Sequence, residues 1–538
     1  MASVGPERHP GKGRFLLCLK PDISILERIG HFYFGLTPAD ILLENLNCKK
    51  HNKKETNAKA NFKTDMVNIF KKPFFVLITL TILVGCARFS PKPLLPEKTA
   101  REFEARSLGS PNLKKFIENN LKRQIDPWPP ARWDMDTLTL AAFYYSPDLD
   151  VARWKWKEAE AGIITAGGRP NPSVSLAPEY STNPASGTSP WVLGFSFDIP
   201  IETAGKRGYR ISEAKGRTHA ARFALATAAW KIRSELRGAL LDYFFAARTE
   251  SILREQVKIQ EEMLALIKER LAVGEVSEPD VMRASIDYDR ALLSVRQAQS
   301  MLIEARAKVA GAIGVPVAAL DGAALSVGLF ETPPPLEKFS LSELRREALT
   351  NRSDILEALM RYAASQSRLQ LEIAKQYPNV HIGPGYLYDQ GQNKWGIGIT
   401  VELPVLNGNQ GPIAEAEAAR SGEASRFEAL QGRIIIDTGR AVAGYRSSLE
   451  RLRAADRLAS EKGKAVSSLE AQYNAGEIDR LALLGGEAEY EAVLLERLDG
   501  LANADRMLGF LEDALQRPLE PSTLLPAVPD QNPQERKQ

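Results

Sequence analysis

Apolar residues fall at every second position over four short segments of the chain. From Trp191 the odd positions carry Trp191, Leu193, Phe195, Phe197 and Ile199, and the even ones Val192, Gly194, Ser196 and Asp198. Trp395, Ile397, Ile399, Val401 and Leu403 alternate with Gly396, Gly398, Thr400 and Glu402 in the same way. The segments before them agree. Val174, Leu176 and Tyr180 oppose Ser173, Ser175 and Glu179, while Val380, Ile382, Tyr386 and Tyr388 oppose His381, Gly383, Gly385 and Asp389. A period of two belongs to a strand with one apolar face. The pattern therefore predicts two hairpins, 172–200 and 378–404, with turns at Ser181 to Pro190 and Gln390 to Lys394. Strands of about nine to eleven residues suit a tilted crossing of a bilayer. Trp191, Trp395, Tyr180, Tyr386 and Tyr388 stand beside the turns, where a barrel in lipid carries an aromatic girdle.

Elsewhere the period lengthens. From Lys206 to Val273 there are 68 residues without a proline, which as helix reach roughly 100 Å, more than an ordinary globular domain uses. Leu236, Leu240 and Tyr243, then Leu253, Val257, Leu264, Ile267 and Leu271, and later Leu498, Leu501, Leu508, Leu511 and Leu515 mark apolar stripes at helical spacing. Such stripes predict helices packed as in a coiled coil. Gly274 ends the first long helix, and Ser277-Glu278-Pro279-Asp280 opens the next with an N-cap, a proline in the first turn and an acid three residues after the cap. At the second such place Gly476 precedes Asp479, Ala482 stands for Asp280, and Gly485-Gly486 follow. Each glycine costs a helix about 1 kcal/mol relative to alanine, so this second tip is expected to be the more pliable.

The two halves are copies. Pro172 to Tyr180 (PSVSLAPEY) matches Pro378 to Tyr386 (PNVHIGPGY) at an offset of 206, and Trp191 to Pro200 matches Trp395 to Pro404 at 204. Ser146-Pro147-Asp148-Leu149 answers Arg352-Ser353-Asp354-Ile355, and Ala272-Val273-Gly274-Glu275-Val276 answers Asn474-Ala475-Gly476-Glu477-Ile478. A unit of about two hundred residues is repeated, with small loop deletions. Four strands cannot close a barrel, and in lipid every strand edge must pair. The chain is therefore expected to oligomerise, a trimer supplying about twelve strands.

The ends are of another kind. Met66 begins MVNIFKKPFFVLITLTILVGC, two lysines and a short apolar run closing on Leu83-Val84-Gly85-Cys86, which is a secretory signal and too short to span a membrane. Its last four residues resemble a bacterial lipobox, making Cys86 the expected lipidation site. Residues 1–65 are expected to be an over-extended start, 66–85 the lipoprotein signal peptide and 86–130 an extended tether. Residues 131–316 and 341–518 form the two repeats, joined by a linker at 317–340, and 519–538 is expected to be a disordered tail.

Of the three cysteines, Cys18, Cys48 and Cys86, none lies further along, as suits an oxidising compartment without structural disulfides. The whole chain carries 70 basic and 67 acidic residues. Residues 1–65 hold 11 and 7 of them and the signal two lysines, so from Cys86 on the balance is 57 to 60. A near-neutral chain gives no ground for nucleic-acid binding. Past Cys86 the histidines are His219 and His381, and there is no CxxC, Gly-x-Ser-x-Gly elbow, Gly-Lys-Ser/Thr phosphate loop or His-Glu-x-x-His. Neither an enzyme, a cofactor nor a metal centre is expected.

On the duplicated hairpin, the long helix pairs, the paired Gly-Glu tips and the lipobox, the chain from Cys86 on resembles the TolC-like outer-membrane efflux proteins. The runs Glu372 to Pro378 and Gly411 to Glu415 are similar to the branch that serves heavy-metal cation exporters. The resemblance implies an α+β membrane channel. A homotrimer would join a twelve-stranded β-barrel in outer-membrane lipid to a periplasmic α-helical barrel, docked on a periplasmic adaptor (membrane fusion) protein and an inner-membrane efflux pump. It places Trp191, Phe195, Trp395, Ile399, Tyr386 and Tyr388 against lipid or in the girdle. It makes Gly274, Glu275, Ser277, Asp280, Gly476, Glu477 and Asp479 the adaptor-docking, gated end. Glu275, Asp280, Glu477 and Asp479 are also candidates for an acidic constriction, although acids at helix starts serve equally as caps. The cargo would be metal cations, with drugs or other organic substrates as the alternative. The residues alone also admit a periplasmic coiled-coil lipoprotein scaffold without a pore, its hairpins packed on protein.

Overall fold

The computed structural model describes residues 89–184, 186–336 and 340–519. Cys86, the signal at 66–85, the first 65 residues and the tail past Leu519 lie outside them. The chain divides into two compact units, Met1–Ala105 and Arg106–Gln538. In the first, α1 (Pro96–Glu104) buries none of its residues.

The second unit holds the repeats. It begins with α2 (Pro111–Leu121), which buries Leu113, Phe116 and Ile117. The stretch expected to be an extended tether is thus partly helical, because these three residues share a face and dock in the core. Then come α3 (Met135–Tyr145), α4 (Pro147–Gly167), strands β1 (Ser173–Tyr180) and β2 (Trp191–Ile201), α5 (Lys206–Ala272) and α6 (Glu278–Ile313). The second repeat follows the same order: α7 (Leu341–Asn351), α8 (Ser353–Ala374), β3 (Val380–Asp389), β4 (Gln392–Val401), α9 (Gln410–Asn474) and α10 (Arg480–Leu515). Between them, one-turn 3-10 helices at Val317–Leu320 and Gly328–Phe330 bury Leu320 and Phe330.

The long helices α5 and α9, of 67 and 65 residues, each run about 100 Å. Toward the strands α4 packs on α5, α5 on α8 and α8 on α9; toward the other end α6 packs on α5, α5 on α10 and α10 on α9. The large apolar residues gather midway, where Leu236, Leu240, Phe244, Tyr445, Leu508 and Leu511 meet Leu138, Phe143 and Phe330. Along α6 the packing runs on small residues. Ala284, Ala291, Ala298 and Ala305 recur at every seventh position on the buried side of α6, a heptad repeat that keeps one seam facing its partner.

The four strands form one antiparallel sheet in the order β1-β2-β3-β4. Each hairpin pairs internally, and β2 of the first repeat pairs with β3 of the second. The second hairpin turn is shorter than the sequence pattern predicted. Gln390 and Gly391 both have positive φ, +49° and +98°, as a two-residue type I′ turn requires, so β4 starts at Gln392.

Candidate functional site: an apolar sheet face and two helical tips

Register decides which side chains share a face. Leu176, Phe195, Tyr386 and Trp395 stand in one row across all four strands, and Ile199, Ile382 and Ile399 stand in another. Trp191 pairs with Tyr180, and Tyr388 lies between Leu193 and Asn393. The six residues expected to meet lipid therefore occupy one side of the sheet. Their rings pack edge-on or tilted, with centroids 4.9 Å apart for Tyr180 and Trp191, 5.6 Å for Phe195 and Tyr386 and 4.8 Å for Tyr386 and Trp395. The Tyr386 hydroxyl donates to Asn393 Oδ1 at 2.5 Å, which satisfies its one polar atom.

Nothing among the described residues covers this face. Leu176 is 74% exposed, Trp395 77% and Ile399 70%. A continuous apolar surface of this kind marks contact with a partner or a membrane. Apart from Val192 and Leu387 the opposite side carries small and polar residues, with Ser175, Ser196, Gly385 and Gly396 in one row. There His381 Nδ1 lies 2.9 Å from Asp198 Oδ1 on the neighbouring strand. No helix among the described residues is long and apolar enough to cross a membrane.

Where the sheet meets the helices, a buried lysine staples the two repeats. Lys206, at the start of α5, donates from Nζ to the Tyr377 carbonyl and to Asn379 Oδ1, both at 2.6 Å. Burial of the amine lowers its pKa, with Glu202 opposing the shift. Between α4, α5, α8 and α9 lies a groove of about 620 Å³, lined by Ala220, Ala224 and Ala228 and by Arg217, Arg361 and Arg368.

At the far ends of the long helices the tips are built alike. Gly274 and Gly476 both have φ of +78°, the left-handed conformation that glycine adopts without strain. The next amide folds back in each case, Glu275 N–H to the Arg270 carbonyl and Glu477 N–H to the Gln472 carbonyl, both at 2.9 Å. Ser277 and Asp280 form the predicted capping box. Asp280 Oδ2 accepts from the Ser277 hydroxyl at 2.5 Å and its amide at 3.1 Å, and these bonds hold the carboxyl below its usual pKa. Asp479 caps α10 by accepting from Ala482 N–H at 2.8 Å.

Asp479 has a second role. Its other oxygen accepts from Arg270 Nη2 of α5 at 2.5 Å, and this bond, followed by that from Ala482, holds its carboxyl low. Beside it Arg480 grips Glu262 through two bonds of 2.7 Å, lowering the Glu262 pKa and raising that of the guanidinium. Two arginine clamps thus tie the tip of the first repeat to that of the second. Asp280 and Asp479 are committed to caps and clamps, whereas Glu275 and Glu477 are exposed and cap no helix.

Gly485 and Gly486 lie inside an unbroken α10, and a Cβ on Gly486 would come within 2.4 Å of Leu469 Cδ1. The Leu469 side chain of α9 thus packs over Gly486 of α10, where any side chain would have to push it aside.

Further up, α5 and α10 share a buried charge network. Arg237 Nη1 donates to the Asp505 carbonyl at 3.0 Å, while Arg237 Nε and Arg233 Nη1 lie 3.3 and 3.4 Å from Glu512 Oε2. Neither this network nor the clamps could be found by local pattern. Arg270 and Asp479 are 209 residues apart, and Arg480 and Glu262 are 218, and neither pair falls on matching positions of the repeat.

An amphipathic sheet set on tandem helical hairpins is also the fold of solved outer-membrane channels. The chain belongs to the outer membrane efflux protein family, whose pattern matches residues 142–315 and 344–513, one stretch in each repeat. It is a family of transport ducts, not of enzymes. The chain is 24% identical over 381 residues to the cobalt-zinc-cadmium resistance protein CzcC of Cupriavidus metallidurans, covering 67% of this chain and 86% of that one. It is 24% identical over 301 residues to outer membrane protein OprJ of Pseudomonas aeruginosa, covering 53% and 60%. Among solved structures, VceC of Vibrio cholerae shares the fold at a TM-score of 0.58 and 18% identity, over 72% of this chain and 97% of that one. CusC does so at 0.57 and 17%, over 80% and 99%.

Proposed function

We propose that this chain is the outer-membrane duct of a tripartite efflux assembly. Three copies close a twelve-stranded barrel in lipid, and their long helices continue as a tunnel through the periplasm. The observation that carries this reading is the apolar row that runs unbroken across all four strands while both sheet edges stay open. In hydrocarbon an unpaired backbone group costs several kcal/mol, so an apolar sheet with two open edges has to be closed by further copies. The long helices, at about 100 Å, far exceed the roughly 30 Å hydrocarbon core, which favours a tunnel outside the bilayer.

The duct is passive, with energy and selection supplied by a periplasmic adaptor and an inner-membrane pump. The adaptor docks at the tips around Gly274, Glu275, Ser277 and Asp280 and around Gly476, Glu477 and Asp479, and the Arg270 and Arg480 clamps hold those tips together in the resting duct. An acyl anchor at Cys86 follows from the lipobox. Metal cations are the proposed cargo, on the similarity to a cobalt-zinc-cadmium resistance protein; organic substrates are the alternative.

Purified protein inserted in planar bilayers tests the reading. Stepwise ion conductance is expected, whereas a scaffold with protein-packed hairpins would give none and would leave the envelope once its anchor was cut. Deletion of the gene and growth on cobalt, zinc or cadmium salts against organic drugs then separates the two cargo classes.

A further inference from the structure

We infer that the open edges β1 and β4 meet between copies of this chain in one fixed register, Leu403 of one copy opposite Leu176 of the next and Ile399 opposite Tyr180. This rests on the ring reading above and fixes how the ring is sealed.

The internal repeat provides the template. Tyr180 pairs with Trp191 and its counterpart Tyr386 with Trp395; Val174 pairs with Phe197 and Val380 with Val401. The offsets of 206 and 204 seen in the sequence therefore hold in the pairing as well. The seam between the repeats is β2 against β3, with Ile199 opposite Ile382 and Phe195 opposite Tyr386. If a neighbour's β1 docks on β4 as β3 docks on β2, Leu403 takes the place of Ile199 and Leu176 that of Ile382. A one-residue slip would turn the apolar side of one strand onto the polar side of the other.

Two details of the edges agree. Pairing of β2 with β3 lapses between Ser196 and Ile199, beside Pro384, which has no N–H to give. The β3–β4 ladder runs through Pro384 and the β1–β2 ladder through Pro178. Pro178, the counterpart of Pro384, therefore turns the same blank toward the open edge, opposite Val401.

Secondly, β2 reaches Ile201 under cover of β3, whereas β4 stops at Val401, the counterpart of Phe197. Glu402 to Val405 have no strand partner among the described residues, and Leu403 and Val405 are 70% and 81% exposed. A neighbour's β1 would extend β4 over these four residues.

A closed barrel carries a fixed overall stagger, and the seam within the chain offers the value that a seam between copies can repeat. Crossing from Leu176 to Phe195 to Tyr386 arrives at the counterpart of Tyr180, four residues further along. Only the proposed register repeats that advance between copies.

The test uses the full chain in its native membrane. The pairs Leu403→Cys with Leu176→Cys, and Ile399→Cys with Tyr180→Cys, are oxidised with copper phenanthroline after confirming wild-type amounts in the outer-membrane fraction. Opposed residues have Cβ atoms about 5 Å apart, close enough to bridge. Covalent species of two and three copies are expected from both pairs and from neither single variant. Bridging by Leu403→Cys with Tyr180→Cys, slipped by four residues, in place of these pairs would overturn the register while leaving the ring. Absence of bridges from all three combinations would overturn the ring as well.

Discussion

Replacing Ile399 by lysine separates a lipid-facing sheet from a water-facing one. Ile399 stands in the helix-side third of β4 beside Ile382 and Ile199 and is 70% exposed in the single chain. In water such a site tolerates lysine within about 0.5 kcal/mol. In lipid the same charge costs about 2–4 kcal/mol at the bilayer midplane and about 0–1 kcal/mol at its interfaces, so a site between the two should lose about 1–2 kcal/mol per copy, or roughly 3–6 kcal/mol for a ring of three if well-separated costs add. Thr400→Lys is the control. It is the next residue along, pairs with His381 and points to the polar side, where the change should stay within about 0.5 kcal/mol. Chemical unfolding of protein folded into lipid vesicles reads the difference, and abundance in the outer-membrane fraction reads it in cells. Ile399→Lys should be destabilised and depleted, with Thr400→Lys close to wild type. Equal behaviour of the two variants would refute the lipid-facing assignment.

Further outcomes follow from the packing of the helices. Arg237→Ala leaves the buried carboxylates of Asp505 and Glu512 short of a cation, so helical unfolding followed by circular dichroism should lose about 3–5 kcal/mol; a loss below about 1 kcal/mol would mean that water reaches the network. Gly216→Ala puts a Cβ 3.0 Å from Ala364 Cβ and 3.1 Å from its Cα. Overpacking of about 1–3 kcal/mol should outweigh the gain of about 1 kcal/mol in helix propensity, and a raised melting temperature would contradict this. At the tips, Arg270→Ser with Arg480→Ser should raise single-channel conductance by releasing the clamps, and unchanged conductance would remove their gating role. The Asp479 and Glu262 carboxyls titrate below their ordinary values. Their pairing is thus complete above the ordinary carboxylate range near pH 4 and is lost as pH falls through the lowered values. Conductance should rise only in acid, and Glu262→Gln should weaken that response.

Local chemistry made much of this molecule legible in its sequence. The alternation from Trp191 to Ile199 gives the face of β2, because strand side chains can only point two ways. The 67 residues of α5 contain no proline and end at a glycine with φ of +78°. Ser277 and Asp280 announce a helix start because an orphan amide needs an acceptor within three residues. The two-residue turn at Gln390 and Gly391 was hidden, since nothing short of its φ values separates it from a longer polar loop. α2 was hidden as well, because its proline and charges outweigh the three residues it buries.

The sequence by itself determined the two copies of strand, turn and long helix, and which side of each strand is apolar, because periodicity and capping act over a few residues. Only the tertiary structure decided that β2 joins β3, that Arg270 finds Asp479, that Arg237 lies among buried acids and that the Leu469 side chain packs over Gly486. Those contacts join segments up to more than two hundred residues apart, and only the packed arrangement of the long helices brings them together.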